Sequence, residues 1–185
     1  MSSRPAPALA FSHVGIFVRD IEGMAGFYTR LLGFTVSDRG QIDSPRGAIS
    51  LVFLTRDPRE HHQIVLVSGR PDEAAFNPIN QISFRMQDFG GLRAMYRAIQ
   101  GERGVSEIAP VSHGNALSVY FRDPEGNRIE LFVDTPWYVE QPIRIPMDMA
   151  LADDALWKWA ESTARELPGY KPVDEWRAEM RKRLL

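Results

Sequence analysis

The sequence predicts an α+β fold in which two tandem βαβββ modules form a curved mixed sheet, between a half-barrel and a barrel, around a cavity, with a C-terminal helical tail. Two observations lead to this prediction. A β-like run, an amphipathic helix and three further β-like runs occur twice in the same order. The segment "FLTRDPREHHQIVLV" (53–67) is also echoed by "VYFRDPEGNRIELFV" (119–133). A repeated supersecondary unit indicates two half-structures that share one buried surface.

The first module spans about residues 8–68. It opens with a β-rich run over 9–18, which ends where Asp20 can cap a helix. Gly33 ends that helix. Its apolar residues recur at the spacing of one buried face: Met24, Phe27, Tyr28, Leu31 and Leu32. Three β-like runs follow at 34–37, 49–55 and 61–67, with Pro and Gly supplying the turns.

The second module spans about residues 78–134 and repeats this order. A strand over 79–86 leads into a helix with one apolar face formed by Leu92, Met95, Tyr96 and Ile99. Further β-like runs cover 106–111, 117–121 and 128–133. We therefore assign residues 1–135 to the paired modules.

The remaining residues, 136–185, form an arm and a tail. The segment "DTPWYVEQPIRIP" (134–146) predicts an extended arm. Two amphipathic helices follow, one carrying Leu156, Trp159, Ala160, Thr163 and Leu167 and the other Val173, Trp176, Met180 and Leu184. The tail packs either on the outside of the modules or on a second subunit. The aromatic surface of its three tryptophans favours a homodimer.

Composition limits the classes of function. The 22 basic and 24 acidic residues give a net charge of −2, so neither nucleic acid nor an anionic membrane is an expected partner. The absence of cysteine excludes disulfides, thiolate metal sites and a cysteine nucleophile. No apolar run is long enough for a signal peptide or a membrane span. These features predict a soluble cytoplasmic protein.

Three polar residues interrupt the predicted strands: His13, Gln81 and Glu130. Taken singly, His13 and Gln81 resemble hydrogen-bonded core residues more than ligands. A buried carboxylate such as Glu130 needs a partner, a proton or a metal. Because His13 and Gln81 open corresponding strands of the two repeats, the trio predicts a three-ligand metal site with open positions for a substrate.

The motifs "HVGIFV", "FYTRLLGF" and "YFRDPEGNRIELF" resemble the vicinal oxygen chelate superfamily, which includes glyoxalase I, extradiol dioxygenases, epimerases and antibiotic-resistance proteins. The resemblance covers about residues 8–134. Within the superfamily, "FLTRDPREHHQIVL" and "HGNALSVYFRDPEGNRIELF" are most similar to one-domain extradiol, catechol-cleaving dioxygenases.

This resemblance implies metal ligation by His13 and Glu130, with Gln81 where the extradiol enzymes have a second histidine. An amide oxygen is a weaker ligand than imidazole and favours oxygen-preferring ions. Glutamine is also a metal ligand in glyoxalase I, so a metal site is still expected. The implied cofactor is a divalent metal, Fe²⁺, with Mn²⁺, Zn²⁺ and Ni²⁺ as alternatives.

The resemblance also implies three catalytic residues, His62, His113 and Tyr120, with His61 as the other member of the histidine pair. It implies an extradiol dioxygenase-like enzyme that takes a catechol-like substrate and O₂. Gln81 keeps open a non-redox isomerase, epimerase or lyase that uses a divalent metal. A third alternative is a metal-free protein that binds a small molecule.

Overall fold

The computed structural model describes residues 9–45, 47–74 and 77–184, which divide into two compact units, 1–76 and 77–185. Each unit contains a βαβββ module with a mixed sheet of its own, so the predicted α+β class and the internal repeat are confirmed. Among the described residues, no helix combines the length and the apolar character needed to cross a bilayer.

The first unit contains five elements: β1 (Val14–Val18), α1 (Ile21–Arg30), β2 (Thr35–Ser44), β3 (Gly47–Thr55) and β4 (Ile64–Ser68). The strand order is β1-β4-β3-β2, in which β1 runs parallel to β4 and the other pairs are antiparallel. The Asp20 side chain caps α1 by accepting a hydrogen bond from the backbone N–H of Gly23, as predicted.

Three boundaries in this unit differ from the prediction. The first strand begins at Val14, so His13 lies just before the strand and is exposed, although an interior strand position was predicted. The last strand begins at Ile64, so both histidines of the pair also precede it. The run predicted over 34–37 extends through Ser44, because it forms a long hairpin with β3. Almost all of that extension is exposed, so no apolar alternation marks it in the sequence.

The second unit repeats the same topology. Its elements are β5 (Ile82–Arg85), α2 (Phe89–Gly101), β6 (Ser106–Ser112), β7 (Ala116–Arg122) and β8 (Arg128–Asp134). The strand order β6-β7-β8-β5 corresponds to the order β2-β3-β4-β1 of the first unit. Strand β5 runs parallel to β8, as β1 does to β4. Gln81 lies immediately before β5, so its position also differs from the predicted strand interior, but it corresponds to that of His13 before β1.

The arm and tail pack within the second unit. They contain β9 (Trp137–Tyr138), β10 (Ile145–Pro146), α3 (Asp153–Arg165), β11 (Lys171–Pro172) and α4 (Val173–Leu184). The arm strand β10 pairs with β6, and β11 pairs with β9. Helix α2 is tied to the start of the tail by Arg93, which donates to the carbonyl oxygens of Met149 and Leu151.

The two faces of the second sheet have different chemistry. Side chains alternate along a strand, so Leu117, Val119 and Phe121 of β7 lie buried on the face that contacts α2. Ser118 and Tyr120 lie on the opposite face. On β8, the same alternation places Glu130 with these polar residues, and this polar face carries the candidate site.

Candidate functional site

The Glu130 carboxylate is the centre of the candidate site. It belongs to β8 and is only 7% exposed. Its cross-strand neighbour in β7 is Tyr120, and its neighbour in β5 is Ser83. The strand register therefore places hydroxyl groups on both sides of one buried carboxylate.

Both carboxylate oxygens of Glu130 are fully used as acceptors. Oε1 accepts from the Ser118 hydroxyl at 2.8 Å and from the Tyr120 hydroxyl at 2.6 Å. Oε2 accepts from the Ser83 hydroxyl at 2.5 Å and from the Gln81 amide nitrogen at 2.8 Å. A carboxylate offers about four acceptor positions. These four donors therefore satisfy the buried charge.

His113 extends this network beyond Tyr120. Its Nε2 lies 3.0 Å from the Tyr120 hydroxyl and 3.7 Å from Oε1 of Glu130. Its Nδ1 lies 2.5 Å from the carbonyl oxygen of Ile143 in the arm. Burial, followed by the hydrogen bond and the negative charge of Glu130, raises the pKa of Tyr120 to about 12. Tyr120 therefore remains a protonated donor at neutral pH.

These groups open onto a cavity of about 370 Å³ in the second unit. Phe132 contributes an apolar surface to it. The polar lining includes Gln81, His113, Asn115, Tyr120, Glu130 and Gln141. A concave site with several convergent polar groups is typical of small-molecule binding.

The first unit contains a separate cluster of histidines. The rings of His13 and His62 are 4.2 Å apart, and those of His61 and His62 are 5.1 Å apart. Both rings of the pair also pack against Phe53. The pKa of His62 is lowered by burial first and then by the neighbouring His13 and His61, while Glu60 opposes this effect. The His61 side chain is 59% exposed, so His62 is the more enclosed of the two.

The predicted site residues thus fall into two groups. Gln81, His113, Tyr120 and Glu130 are brought together in the second unit. His13 and His62 contact each other in the first unit. Coordination of one metal by His13, Gln81 and Glu130 therefore stays a prediction. Within the described parts of the chain, no three His, Cys, Asp or Glu side chains are grouped as a metal site, but the predicted trio contains only two residues of these types.

Several polar residues of the site were missed by the sequence analysis. Ser83 and Ser118 lie two residues from Gln81 and Tyr120, so strand alternation could have identified them as neighbours on the same face. Asn115 follows His113 closely in the turn between β6 and β7. No comparable sequence signal marks Gln141, which reaches the cavity from the arm that follows the sheet.

The side-chain oxygen atoms at this site are of types that can coordinate an oxygen-preferring divalent ion. An ionised carboxylate only accepts hydrogen bonds, so the Gln81 atom facing Glu130 is the amide nitrogen. The Gln81 amide oxygen is bonded to the same carbon as this nitrogen, and it accepts no hydrogen bond from any described protein group. Coordination by Glu130 requires one hydroxyl donor to turn away, which the rotatable hydroxyls of Ser83 and Ser118 permit. The residues therefore fit a divalent metal.

The sequence profile of the Glyoxalase/Bleomycin resistance protein/Dioxygenase superfamily matches residues 10–131. The chain belongs to this superfamily. Its members include metal-dependent enzymes, and the matched residues contain every residue predicted for the site. The match ends directly after Glu130, so the arm and the tail lie outside it.

Two relatives within this superfamily come from Rhodococcus globerulus. Biphenyl-2,3-diol 1,2-dioxygenase 2 is 25% identical over 186 aligned positions, which cover 85% of this chain and 93% of the relative. Biphenyl-2,3-diol 1,2-dioxygenase 3 is 30% identical over 133 positions, which cover 69% of this chain and 64% of the relative. Since 85% of 185 residues is about 157, the first alignment extends well beyond residue 131 and includes the arm.

Solved structures of the superfamily share the fold. The fosfomycin resistance protein FosX from Mesorhizobium loti superposes with a TM-score of 0.54 at 20% identity, covering 70% of this chain and 94% of FosX. A glyoxylase/bleomycin resistance protein/dioxygenase domain from Frankia sp. EAN1pec gives the same TM-score and identity, covering 70% of this chain and all of that domain. At this identity the likeness concerns the fold alone.

Proposed function

We propose that the protein is a divalent-metal-dependent, extradiol dioxygenase-like enzyme that cleaves a catechol-type ring with O₂. The main observation behind this proposal is the buried Glu130 carboxylate, which shares one cavity with the His113–Tyr120 pair and with the Gln81 amide, whose oxygen accepts no hydrogen bond from the described residues. The relatives named for biphenyl-2,3-diol support an aromatic diol as the substrate.

We assign metal ligation to Glu130, Gln81 and His13, with Fe²⁺ as the proposed ion and Mn²⁺, Zn²⁺ and Ni²⁺ as alternatives. When bound, such an ion supplies a Lewis acid that lowers the pKa of a coordinated phenol and, if redox-active, couples the ring to O₂. Gln81 is the unusual member of this set, because an amide oxygen binds Fe²⁺ less tightly than imidazole does.

His113 and Tyr120 are the proposed groups that orient the substrate and move a proton in the cavity. The Tyr120 hydroxyl has one proton and two acceptors within reach, Oε1 of Glu130 at 2.6 Å and Nε2 of His113 at 3.0 Å. A substrate hydroxyl that enters the cavity can therefore exchange hydrogen bonds with either group. The raised pKa of Tyr120 keeps its hydroxyl protonated at neutral pH before a substrate binds.

His62 is the proposed acid and base for the second substrate hydroxyl. Its lowered pKa favours the neutral imidazole at neutral pH, which is the form able to accept a phenol proton. The same proton can later be returned to the product. His61 is the matched control for substitutions of His62, because it is adjacent in sequence and its side chain is 59% exposed.

The overall reaction is balanced without a further reductant. The carbon–carbon bond next to the diol breaks, the ring carbons are oxidised, and O₂ is reduced as both of its atoms enter the product. The product is a ring-opened acid that bears an aldehyde or a ketone.

Metal binding by the free protein tests the proposed ligands. Equilibrium dialysis against Fe²⁺ or Mn²⁺ is expected to give about one bound ion per chain, at least tenfold weaker binding in Glu130→Ala, and tighter Fe²⁺ binding in Gln81→His. In oxygen uptake with 2,3-dihydroxybiphenyl, His62→Ala should lose most activity while His61→Ala retains it. Equal metal binding by wild type and Glu130→Ala would contradict the assignment.

A non-redox enzyme is the second candidate, and the amide of Gln81 favours it. A His/Gln/Glu set suits Zn²⁺, Ni²⁺ or Mn²⁺, which can stabilise an enediolate during isomerisation, epimerisation or lysis. Bound metal without oxygen uptake, even after loading with Fe²⁺, would select this candidate. Absence of bound metal would instead favour a small-molecule binding protein, which is compatible with a Glu130 carboxylate already satisfied by four donors.

A further inference from the structure

We infer that two residues of the C-terminal arm (residues 135–146), Gln141 and Ile143, are positioning residues for His113. The inference rests on the proposed role of His113. It concerns a segment that lies outside the 10–131 superfamily match. These two residues would thus determine which ring nitrogen of His113 carries the proton in the neutral ring.

Gln141 connects the arm to the turn that carries His113. Its amide nitrogen donates to the backbone carbonyl of His113 at 2.7 Å. Its amide oxygen accepts from the backbone N–H of Ile143 at 3.0 Å. One side chain therefore fixes the distance between His113 and the part of the arm that contacts the His113 ring.

The Ile143 carbonyl selects the protonated nitrogen of that ring. It lies 2.5 Å from Nδ1 of His113, and a carbonyl oxygen can only accept. Nδ1 must therefore carry a proton, which leaves the lone pair of the neutral ring on Nε2. Nε2 is the atom that lies 3.0 Å from the Tyr120 hydroxyl. The arm thus presents the basic nitrogen of His113 to the reacting groups.

The base of the arm is anchored to the same turn. The Trp137 indole N–H and the Thr135 hydroxyl both donate to the carbonyl of Gly114, at 2.7 Å and 2.9 Å. Trp137 and Thr135 are buried, at 5% and 3% exposure. Gln141 itself is exposed, so its side chain can be replaced without opening a cavity in the core.

A second observation supports a functional arm. Gln141 lines the cavity together with Glu130 and Tyr120, although it lies outside the matched domain. The alignment with Biphenyl-2,3-diol 1,2-dioxygenase 2 also continues through the arm. Gln141 therefore contributes to the cavity wall as well as supporting His113.

Gln141→Met tests the inference, because it keeps the length of the side chain but removes all the hydrogen bonds of its amide, including those to His113 and Ile143. Nitrogen-15 NMR of the metal-free protein reports which ring nitrogen of His113 carries the proton. We expect an Nδ1–H ring in wild type and a population shifted towards Nε2–H in Gln141→Met. In the active enzyme, we expect kcat to fall about tenfold with little change in KM.

Arg144→Met is the matched control, since it places the same side chain at another exposed position of the arm. It should retain the wild-type tautomer and kcat. A wild-type proton on Nε2, or an unchanged tautomer in Gln141→Met, would overturn the inference. If wild type consumes no oxygen, the proposed function fails, but the tautomer comparison still decides the role of the arm.

Discussion

Ser118 and Ser83 both donate a hydroxyl hydrogen to Glu130, but they differ in burial. Ser118 is fully buried, whereas Ser83 is exposed. Removing a buried donor leaves a charged acceptor without a partner, while water can replace an exposed one. We expect Ser118→Ala to lower the free energy of unfolding by about 2 kcal/mol, and Ser83→Ala by about 0.5 kcal/mol.

Chemical denaturation of the two serine variants measures this difference. The comparison is matched, because each substitution removes one hydroxyl from the same carboxylate. Equal losses of stability would contradict the difference in burial between the two serine hydroxyl groups.

Tyr120 provides a test of the electrostatics of the site. Its pKa of about 12 exceeds the ordinary value of 10.0, so its neutral form stabilises the fold. That contribution is fully present below pH 10 and is lost as the pH rises towards 12. Ultraviolet titration of the five tyrosines should show a component near pH 12 that is smaller by one phenol in Tyr120→Phe. A wild-type titration without this late component would contradict the account.

At the scale of single residues, the sequence predicts which side chains have a chemical role better than it predicts which residues they contact. Glu130 could be identified because burying a carboxylate in an apolar strand costs free energy unless a partner compensates the charge. Its partners Ser83 and Ser118 are common residues whose importance depends on register. Gln141 could not be predicted, because nothing local relates a residue of the arm to His113.

At the scale of elements, the close approach of the arm to the β6–β7 turn depends on Gly114. Gly114 has φ +75°, and a Cβ atom there would overlap the side chain of Val139 in the arm. Gly126 has a similar φ of +81°, but no described atom lies within 4 Å of its Cβ position. Alanine at either site costs about 1 kcal/mol for the left-handed backbone.

We therefore expect Gly114→Ala to destabilise the protein by about 2 kcal/mol more than Gly126→Ala, because only Gly114→Ala also forces the arm to move. Thermal and chemical unfolding of the two variants provide the comparison. Equal destabilisation would mean that the arm does not pack against this turn as described.

Elements with an apolar face were predicted well, and polar ones were not. Helix α1 was found from Asp20 and its buried face, both of which are present. The polar half of β2 was missed, because its residues are exposed and a hairpin partner defines the strand. The fourth helix was predicted from apolar spacing, and the structure contains it as α4. No residue of α4 is fully buried, but Val173, Trp176 and Met180 of its apolar stripe are half-buried, and Trp176 stacks on Tyr138.

At the scale of the whole molecule, the repeat carried most of the predictive information. Two copies of one pattern identified both modules, and the structure shows that equivalent strands occupy equivalent places in the two sheets. Sequence did not reveal that the tail joins the second compact unit, 77–185, because this depends on tertiary contacts such as those of Arg93. The homodimer and the cytoplasmic location stay predictions, and light scattering tests the former.

The proposed function is the use of a metal at this site to add O₂ to a catechol-type ring. Its most direct test is mass spectrometry of the product after Fe²⁺-loaded protein acts on 2,3-dihydroxybiphenyl under ¹⁸O₂, with Glu130→Ala as the control. We expect a ring-opened product whose mass is that of the substrate plus one O₂, formed by wild type only. Metal-loaded protein that leaves the substrate unchanged, or a product equally abundant with Glu130→Ala, would contradict the claim.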